Sequence, residues 1–309
     1  MGHIPVLLQE VIALLNIQDD GTYVDCTLGG GGHTRTILEH LGPRGRVIAL
    51  EQDPRTLAAT QLQLKDFGDK IEYIQGNFRN LQQYLGSLGV LSVNGLLFDL
   101  GVSSFQLDEK ERGFSFHQEA VLDMRMDPGL KISAKELVNQ SSEIELTRII
   151  RDYGEERWAR RIARFIVDHR NRKPIVTTTE LVEIIKAAIP ASARRSGPHP
   201  ARRTFQALRI AVNDELGALR DALIQAISCL SIGGRIIVIS FHSLEDRVVK
   251  EVLRQGVSPC ECPVDFPECR CGRQPYLRLL NRKPIQPGLE ELKVNPRSRS
   301  ARLRGAEKI

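Results

Sequence analysis

Four consecutive glycines, Gly29-Gly30-Gly31-Gly32, lie between Asp25-Cys26-Thr27-Leu28 and His33-Thr34. Without a Cβ, such a run lets a ligand touch the backbone, and the unpaired N–H groups of a following helix add donors. A β-branched run precedes the glycines and a helical pattern follows, so the segment reads as a ligand loop rather than a flexible turn. A dinucleotide fingerprint needs Gly-x-Gly-x-x-Gly/Ala, and counted from Gly29 the third position is Thr34. A phosphate-cradling loop needs Gly-Lys-Ser/Thr, which is absent here. Glu51 falls about twenty residues further on, at the end of a second strand pattern, where an acid can accept hydrogen bonds from a ribose diol. A nucleoside without a pyrophosphate satisfies both facts, and S-adenosyl-L-methionine is the expected cofactor.

Asp99 closes a further apolar run, Gly95-Leu96-Leu97-Phe98-Asp99, at the strand end where open α/β sheets bind ligands. Ser103, Ser104, His242 and Ser243 also follow strand patterns and are candidates for lining a substrate pocket, although Ser243 with Asp246 reads equally as a helix cap and His242 as a structural residue. Phe78, after the third strand pattern, could cover a purine or fill the core. Among the 6 cysteines, Cys26 and Cys229 read as small core residues. Cys260-x-Cys262 and Cys269-x-Cys271 pair up in a Pro-rich stretch and could close a tetrahedral zinc site. No metal is assigned to the chemistry itself.

The elements that must hold these residues follow from periodicity. Thr22–Asp25, Arg46–Glu51, Ile71–Ile74 and Gly95–Asp99 read as strands at the spacing of βαβ crossovers, with Asp53-Pro54 as an N-cap and first helical residue between the second and third. From about 107 to 215 strand signals stop, and Ser133-x-x-Glu136, Ser142-x-x-Glu145 and Thr177-x-x-Glu180 announce helices. Trp158, Ile162, Phe165 and Ile166 form an apolar stripe flanked by Arg157, Arg160, Arg161 and Arg164. One helix is expected over 205–230, before a buried strand at Arg235–Ser240. The expected fold is α/β, a Rossmann-like sheet with an inserted all-helical domain: 1–106 and 216–309 form the cofactor-binding part, and 107–215 the insert.

With 309 residues, 41% hydrophobic and 26% charged, wholesale disorder and a disulfide scaffold are excluded. Neither a membrane span nor a signal-peptide pattern is present, so a soluble cytoplasmic protein is expected. The net charge of +5 divides unevenly, with 7 basic against 11 acidic residues in 1–106, 20 against 17 in 107–215, and 16 against 10 in 216–309. The stretch 157–209 holds 13 Lys/Arg and 3 Asp/Glu, the footprint of an anionic partner.

Asp-x-x-x-Gly-x-Gly at 25–31 resembles the first motif of methyltransferases acting on exocyclic base amines, whereas Asp99-Leu100-Gly101-Val102-Ser103-Ser104 departs from their Pro-Pro-Tyr/Phe motif. Other motifs extend the likeness. They include His3-x-Pro5-Val6-Leu7-Leu8, Arg112-Gly113-Phe114-Ser115-Phe116, Leu122-Asp123-Met124-Arg125-Met126-Asp127, Tyr153-Gly154-Glu155-Glu156, Arg203-Thr204-Phe205-Gln206-Ala207, Ser240-Phe241-His242-Ser243-Leu244-Glu245-Asp246-Arg247 and Asn295-Pro296-Arg297. On these the chain resembles the MraW/RsmH family of bacterial 16S rRNA cytosine-N4 methyltransferases from end to end. The resemblance implies that Gly31, Gly32, His33, Glu51, Phe78, Asp99 and Gln106 bind the cofactor, with Asp99 also the candidate catalytic residue. It implies 16S rRNA, within the small ribosomal subunit, as partner.

A grip on that RNA is expected from Arg194, Arg195, His199, Arg202 and Arg203, a basic segment punctuated by Pro and Gly. The Arg-rich C-terminal stretch from Asn295 reads either as a second contact or as a disordered solubilising tail. Two other readings stay open at this point: a DNA amino-methyltransferase, which should carry the missing motif, and a non-catalytic RNA-binding assembly factor, which would leave the glycine loop, Glu51 and Asp99 without a task.

Overall fold

The computed structural model describes residues 4–102, 109–195, 197–260, 262 and 270–309, with the backbone alone at Lys110. The chain divides into two units, Met1–Gly101 with Leu216–Ile309, and Val102–Glu215. The boundary expected at 106/107 falls outside the described residues.

In the first unit, β1 (Thr22–Asp25), β2 (Arg46–Glu51), β3 (Ile71–Gln75), β4 (Val93–Asp99), β5 (Leu230–Ser240), β6 (Leu277–Leu279) and β7 (Arg302–Lys308) form one sheet in the order β3-β2-β1-β4-β5-β7-β6. The first five are parallel; β7 pairs antiparallel with both β5 and β6. Alternation along the strands divides their apolar side chains between two faces. Leu96, Phe98, Ile236 and Val238 join a core with residues of α4 (Leu81–Ser87), α10 (Glu215–Cys229) and α11 (Ser243–Val257). Leu97, Ile237 and Ile239 join a second core with α1 (Leu8–Leu15), α2 (Gly32–His40) and α3 (Pro54–Gln63). Helices on both faces of a mainly parallel sheet give the expected Rossmann-like α/β fold.

The second unit contains α5 (Ala134–Gln140), α6 (Glu143–Gly154), α7 (Ala159–Arg170), α8 (Thr178–Ala188) and α9 (Arg202–Asn213) around their own apolar core. Ser133 and Thr177 form complete capping boxes with Glu136 and Glu180, and Ser142 caps α6 by accepting from the Glu145 N–H. Ile162 and Ile166 are fully buried, while Arg157 and Arg161 lie over the rings of Trp158 and Phe165 at 5.0 and 5.3 Å. No helix among the described residues is long and apolar enough to cross a membrane.

Three local expectations are corrected. The helix expected over 205–230 is two helices, α9 and α10, broken at Asp214, which adopts φ 46°. Asn213 ends α9 by donating to the Met124 carbonyl at 2.8 Å and accepting from the Met126 N–H at 2.8 Å, tertiary bonds that no periodicity reports. Strand β5 begins at Leu230 rather than Arg235, running through Gly233 and Gly234.

The C-terminal stretch is no disordered tail: it supplies β7, and Leu303 and Ala306 are wholly buried. Arg302 and Arg304 donate to Asp246, at 3.2 Å and 2.6 Å. Burial pushes the Asp246 carboxyl up, but the two guanidiniums outweigh it and hold its pKa below the ordinary value. This pairing contributes stability above the unfolded carboxylate pKa and loses it as pH falls through the folded one. Asp246→Ala leaves Arg304, 13% exposed, without this partner. A loss of about 3 kcal/mol in urea unfolding at pH 7 is expected, shrinking toward pH 3; a loss under about 0.5 kcal/mol would contradict the assignment.

Candidate active site

The strand order turns back between β1 and β4, so a crevice opens at their carboxyl ends, bordered by Asp25 and Asp99. Buried Asp25 accepts the Thr27 N–H at 3.0 Å on Oδ1 and the Thr34 hydroxyl at 2.6 Å on Oδ2. Burial raises its pKa against those bonds. The two threonines flank the glycine run, so one carboxylate ties down both ends of the loop. Thr27 Oγ1 also accepts the Asp99 N–H at 2.6 Å, linking the loop to the end of β4.

Within the loop, Gly31 caps α2 at φ 73°, and a Cβ there would stand 2.6 Å from Thr60 Cγ2 and 3.0 Å from Leu64 Cδ1. A Cβ at Gly32 would meet Pro5 Cγ at 2.3 Å. Both positions therefore demand glycine for packing before any ligand is considered. Glu51 fastens the loop from β2: Oε2 accepts the Gly29 N–H at 3.0 Å, and Oε1 accepts the Asp53 N–H at 2.9 Å. Burial pushes Glu51 up to about 7, with the Asp53 carboxylate adding and the N–H donors opposing. Each carboxylate oxygen has a second lone pair, so these bonds leave acceptor capacity for a diol.

Asp99 is the electrostatic anomaly of the crevice. Its side chain is 21% exposed, yet Oδ1 is buried without a hydrogen-bond partner among the described residues. Burial, reinforced by the Asp25 and Glu245 carboxylates, pushes Asp99 up to about 8. Oδ2 lies 3.7 Å from His33 Nδ1, beyond hydrogen-bond length. His33 Nε2 is 3.0 Å from the Val6 carbonyl oxygen, an acceptor only, so Nε2 donates to it and Nδ1 is the ring nitrogen that faces Asp99. A cation placed beside a buried acid with two acidic neighbours and an unpaired oxygen would favour its charged form.

Phe78 is half-buried in a 3-10 turn after β3, its ring edge-on to Phe98 with centroids 5.8 Å apart. Gln106, Ser103 and Ser104 lie outside the described residues. His242, not Ser243, is the N-cap of α11: its Nδ1 accepts the Glu245 N–H at 3.3 Å, and Glu245 Oε2 accepts the His242 N–H at 3.2 Å. Asp246, expected to complete a cap with Ser243, instead holds Arg302 and Arg304.

In the helical unit, Arg194 lies in a short 3-10 turn, and its Nε donates to the Ile189 carbonyl. Arg202 and Arg203 are exposed on the first turn of α9 rather than in a loop; the Arg203 Nη1 donates to the Glu155 carbonyl at 3.0 Å. Arg195 is exposed beside them in sequence. His199 stacks on Phe116 with centroids 4.7 Å apart and an interplanar angle of 11°, beside His117. Sequence reasoning missed this aromatic group, and missed Asp25, Thr27 and Thr34 as the loop's fasteners. Only the polar residues bracketing the glycines hinted at the latter.

A doubly wound sheet with an antiparallel seventh strand, a glycine loop after β1, an acid ending β2 and an acid ending β4 defines a Rossmann-like class I S-adenosylmethionine-dependent methyltransferase. The family model described as the MraW methylase family matches residues 1–309, and the chain belongs to that family. It is 54% identical over 308 residues to the ribosomal RNA small subunit methyltransferase H of Heliobacterium modesticaldum, covering 99% of this chain and 98% of that one. The protein of the same name from Clostridioides difficile is 51% identical, with 99% of each chain covered. The solved structure of an rRNA methylase from Streptococcus thermophilus aligns with 100% of this chain and 99% of that chain, at 14% identity and a TM-score of 0.44.

Proposed function

We propose that this chain methylates the exocyclic N4 of a specific cytidine in the decoding region of 16S rRNA, with the small ribosomal subunit as its working partner. The observation that carries the chemistry is the unpartnered, buried Asp99 Oδ1 beside the glycine loop. Bound S-adenosylmethionine supplies an activated, electrophilic methyl group. Gly31, Gly32 and His33 of the loop, Glu51, Phe78, Asp99 and Gln106 would hold it: the loop against its backbone, Glu51 on the ribose diol, Phe78 beside the purine, and Asp99 near its positive end.

The N4 lone pair of cytosine is delocalised into the ring, so it is a weak nucleophile. What the protein must provide is alignment at about 3 to 3.5 Å and acceptors for the amine protons as nitrogen pyramidalises. Asp99, held by Thr27 through its own N–H, is the residue assigned to that end of the crevice. The cytidine must leave any stack to reach it.

Exposed Arg194, Arg195, Arg202 and Arg203 are assigned to the RNA phosphates. If these four meet single-stranded backbone, the log–log salt dependence of RNA binding has a slope of about −3. Neutralising Arg202 and Arg203 to glutamine should halve it; a slope near zero in the parent chain would remove the assignment. The reaction itself is tested by offering labelled S-adenosylmethionine with methylation-deficient small subunits, free rRNA or DNA, followed by nucleoside mass spectrometry. N4-methylcytidine from the subunit or its rRNA is expected, and transfer to DNA alone, or to none, overturns the proposal.

A further inference from the structure

The segment 258–276, between α11 and β6, has its two ends joined by the Tyr276 N–H donating to the Gly256 carbonyl at 2.9 Å, beside buried Leu253 and Leu277. Beyond that junction the described residues offer little apolar cover. Cys260 and the stretch 270–276 are exposed. Nevertheless, the sulfurs of Cys260, Cys262 and Cys271 all lie within 4.8 Å of one another. Tetrahedral zinc–thiolate bonds of about 2.3 Å place sulfurs about 3.8 Å apart, so small side-chain rotations complete the fit. A second observation concerns charge: the Arg270 N–H donates to Cys262 Sγ at 3.3 Å, the backbone bond that favours a metal-bound thiolate over a thiol.

We propose that Cys260, Cys262 and Cys271 bind a structural zinc ion that closes this loop. Soft thiolates select zinc over the hard cations of phosphate chemistry. Each coordinating thiol releases its proton to solvent as its sulfur binds the ion, and no electron transfer is involved. The ion takes the place of apolar cover that the described residues of this segment do not supply. Cys269, the fourth cysteine of the pattern, lies outside the described residues, and the site stands on the other three.

The test is elemental analysis and native mass spectrometry of the full chain, purified without chelators or a metal-binding tag from zinc-supplemented cells. About one zinc per chain is expected, falling below about 0.2 in each of Cys260→Ser, Cys262→Ser and Cys271→Ser, whereas Cys229→Ala retains it. Far-ultraviolet circular dichroism should be unchanged in the three loop variants. Limited proteolysis should cut within 258–276 at least tenfold faster after chelation. A parent chain below about 0.2 zinc, undiminished zinc in the variants, or a disulfide among these cysteines in freshly isolated protein overturns the proposal.

Discussion

Asp99→Asn lowers the rate of methyl transfer about 10²- to 10³-fold and weakens S-adenosylmethionine binding about 10- to 100-fold, while making the ligand-free chain more heat-stable at pH 9. The opposite signs come from one cause. With Asp99 pushed up to about 8, the folded chain holds a proton between the ordinary carboxylate pKa and that value that the unfolded chain has released. Stability of the ligand-free chain therefore falls as pH rises through this window, and a neutral amide escapes the penalty. The cationic ligand reverses the balance by favouring the carboxylate. Binding to the parent chain should thus weaken as pH drops below about 8, and the asparagine variant should show a shallower profile over the same range, keeping only the dependence that Glu51, pushed up to about 7, contributes. Calorimetric titration from pH 6 to 8, with thermal unfolding at pH 7 and 9, measures both. Equal affinities in the two chains, or a less stable variant at pH 9, would show that Asp99 serves packing instead.

Gly31→Ala is the second large effect. The φ of 73° costs a side chain about 1 to 2 kcal/mol, and the 2.6 Å approach to Thr60 Cγ2 adds an overpacking cost of about 1 to 3 kcal/mol. Thr60 is not free to retreat, because its hydroxyl donates to the Gly29 carbonyl at 2.6 Å within the same loop. Accommodation therefore moves the loop itself. Unfolding should be easier by about 2 to 5 kcal/mol, with cofactor affinity falling more than tenfold at temperatures where the variant is fully folded. Gly68→Ala, also at positive φ but with open space where the Cβ would go, is the control. It should lose stability without losing affinity. If Gly31→Ala binds the cofactor as tightly as the parent chain, the loop is not the cradle.

The strands that position the site were legible because their residues do one job. Thr22–Asp25 and Arg46–Glu51 bury all but their first residues in a sheet covered on both faces, and the structure begins and ends them where the pattern does. Asp53 likewise caps α3 by accepting the Arg55 N–H, as its place before Pro54 suggests. Where the sequence misled, a residue answered to a distant partner. Asn213 stops α9 through the 124–126 backbone, and His242 caps α11 in place of the serine beside it because its ring nitrogen reaches the Glu245 N–H. Arg302 and Arg304 disguised a strand as a basic tail, since their partner Asp246 stands on α11. The glycines, Glu51 and Asp99 were found from residue type and spacing. That Glu51 spends both oxygens on backbone donors, and that Asp25 and Thr27 link the loop to β4, are facts of assembly that spacing does not encode.

The place of β7 bears on how such a chain is made. It lies between β5 and β6 in the sheet but follows both in sequence, and β6 has its register with β7 alone. As the chain emerges during synthesis, Leu277–Leu279 finds no strand to join until Arg302–Lys308 has been added, and β5 keeps an open edge for the same interval. Exposed edges invite pairing with other chains. The order of translation thus leaves a window, on the order of seconds at ordinary elongation rates, in which the five parallel strands have been made and the antiparallel edge has not.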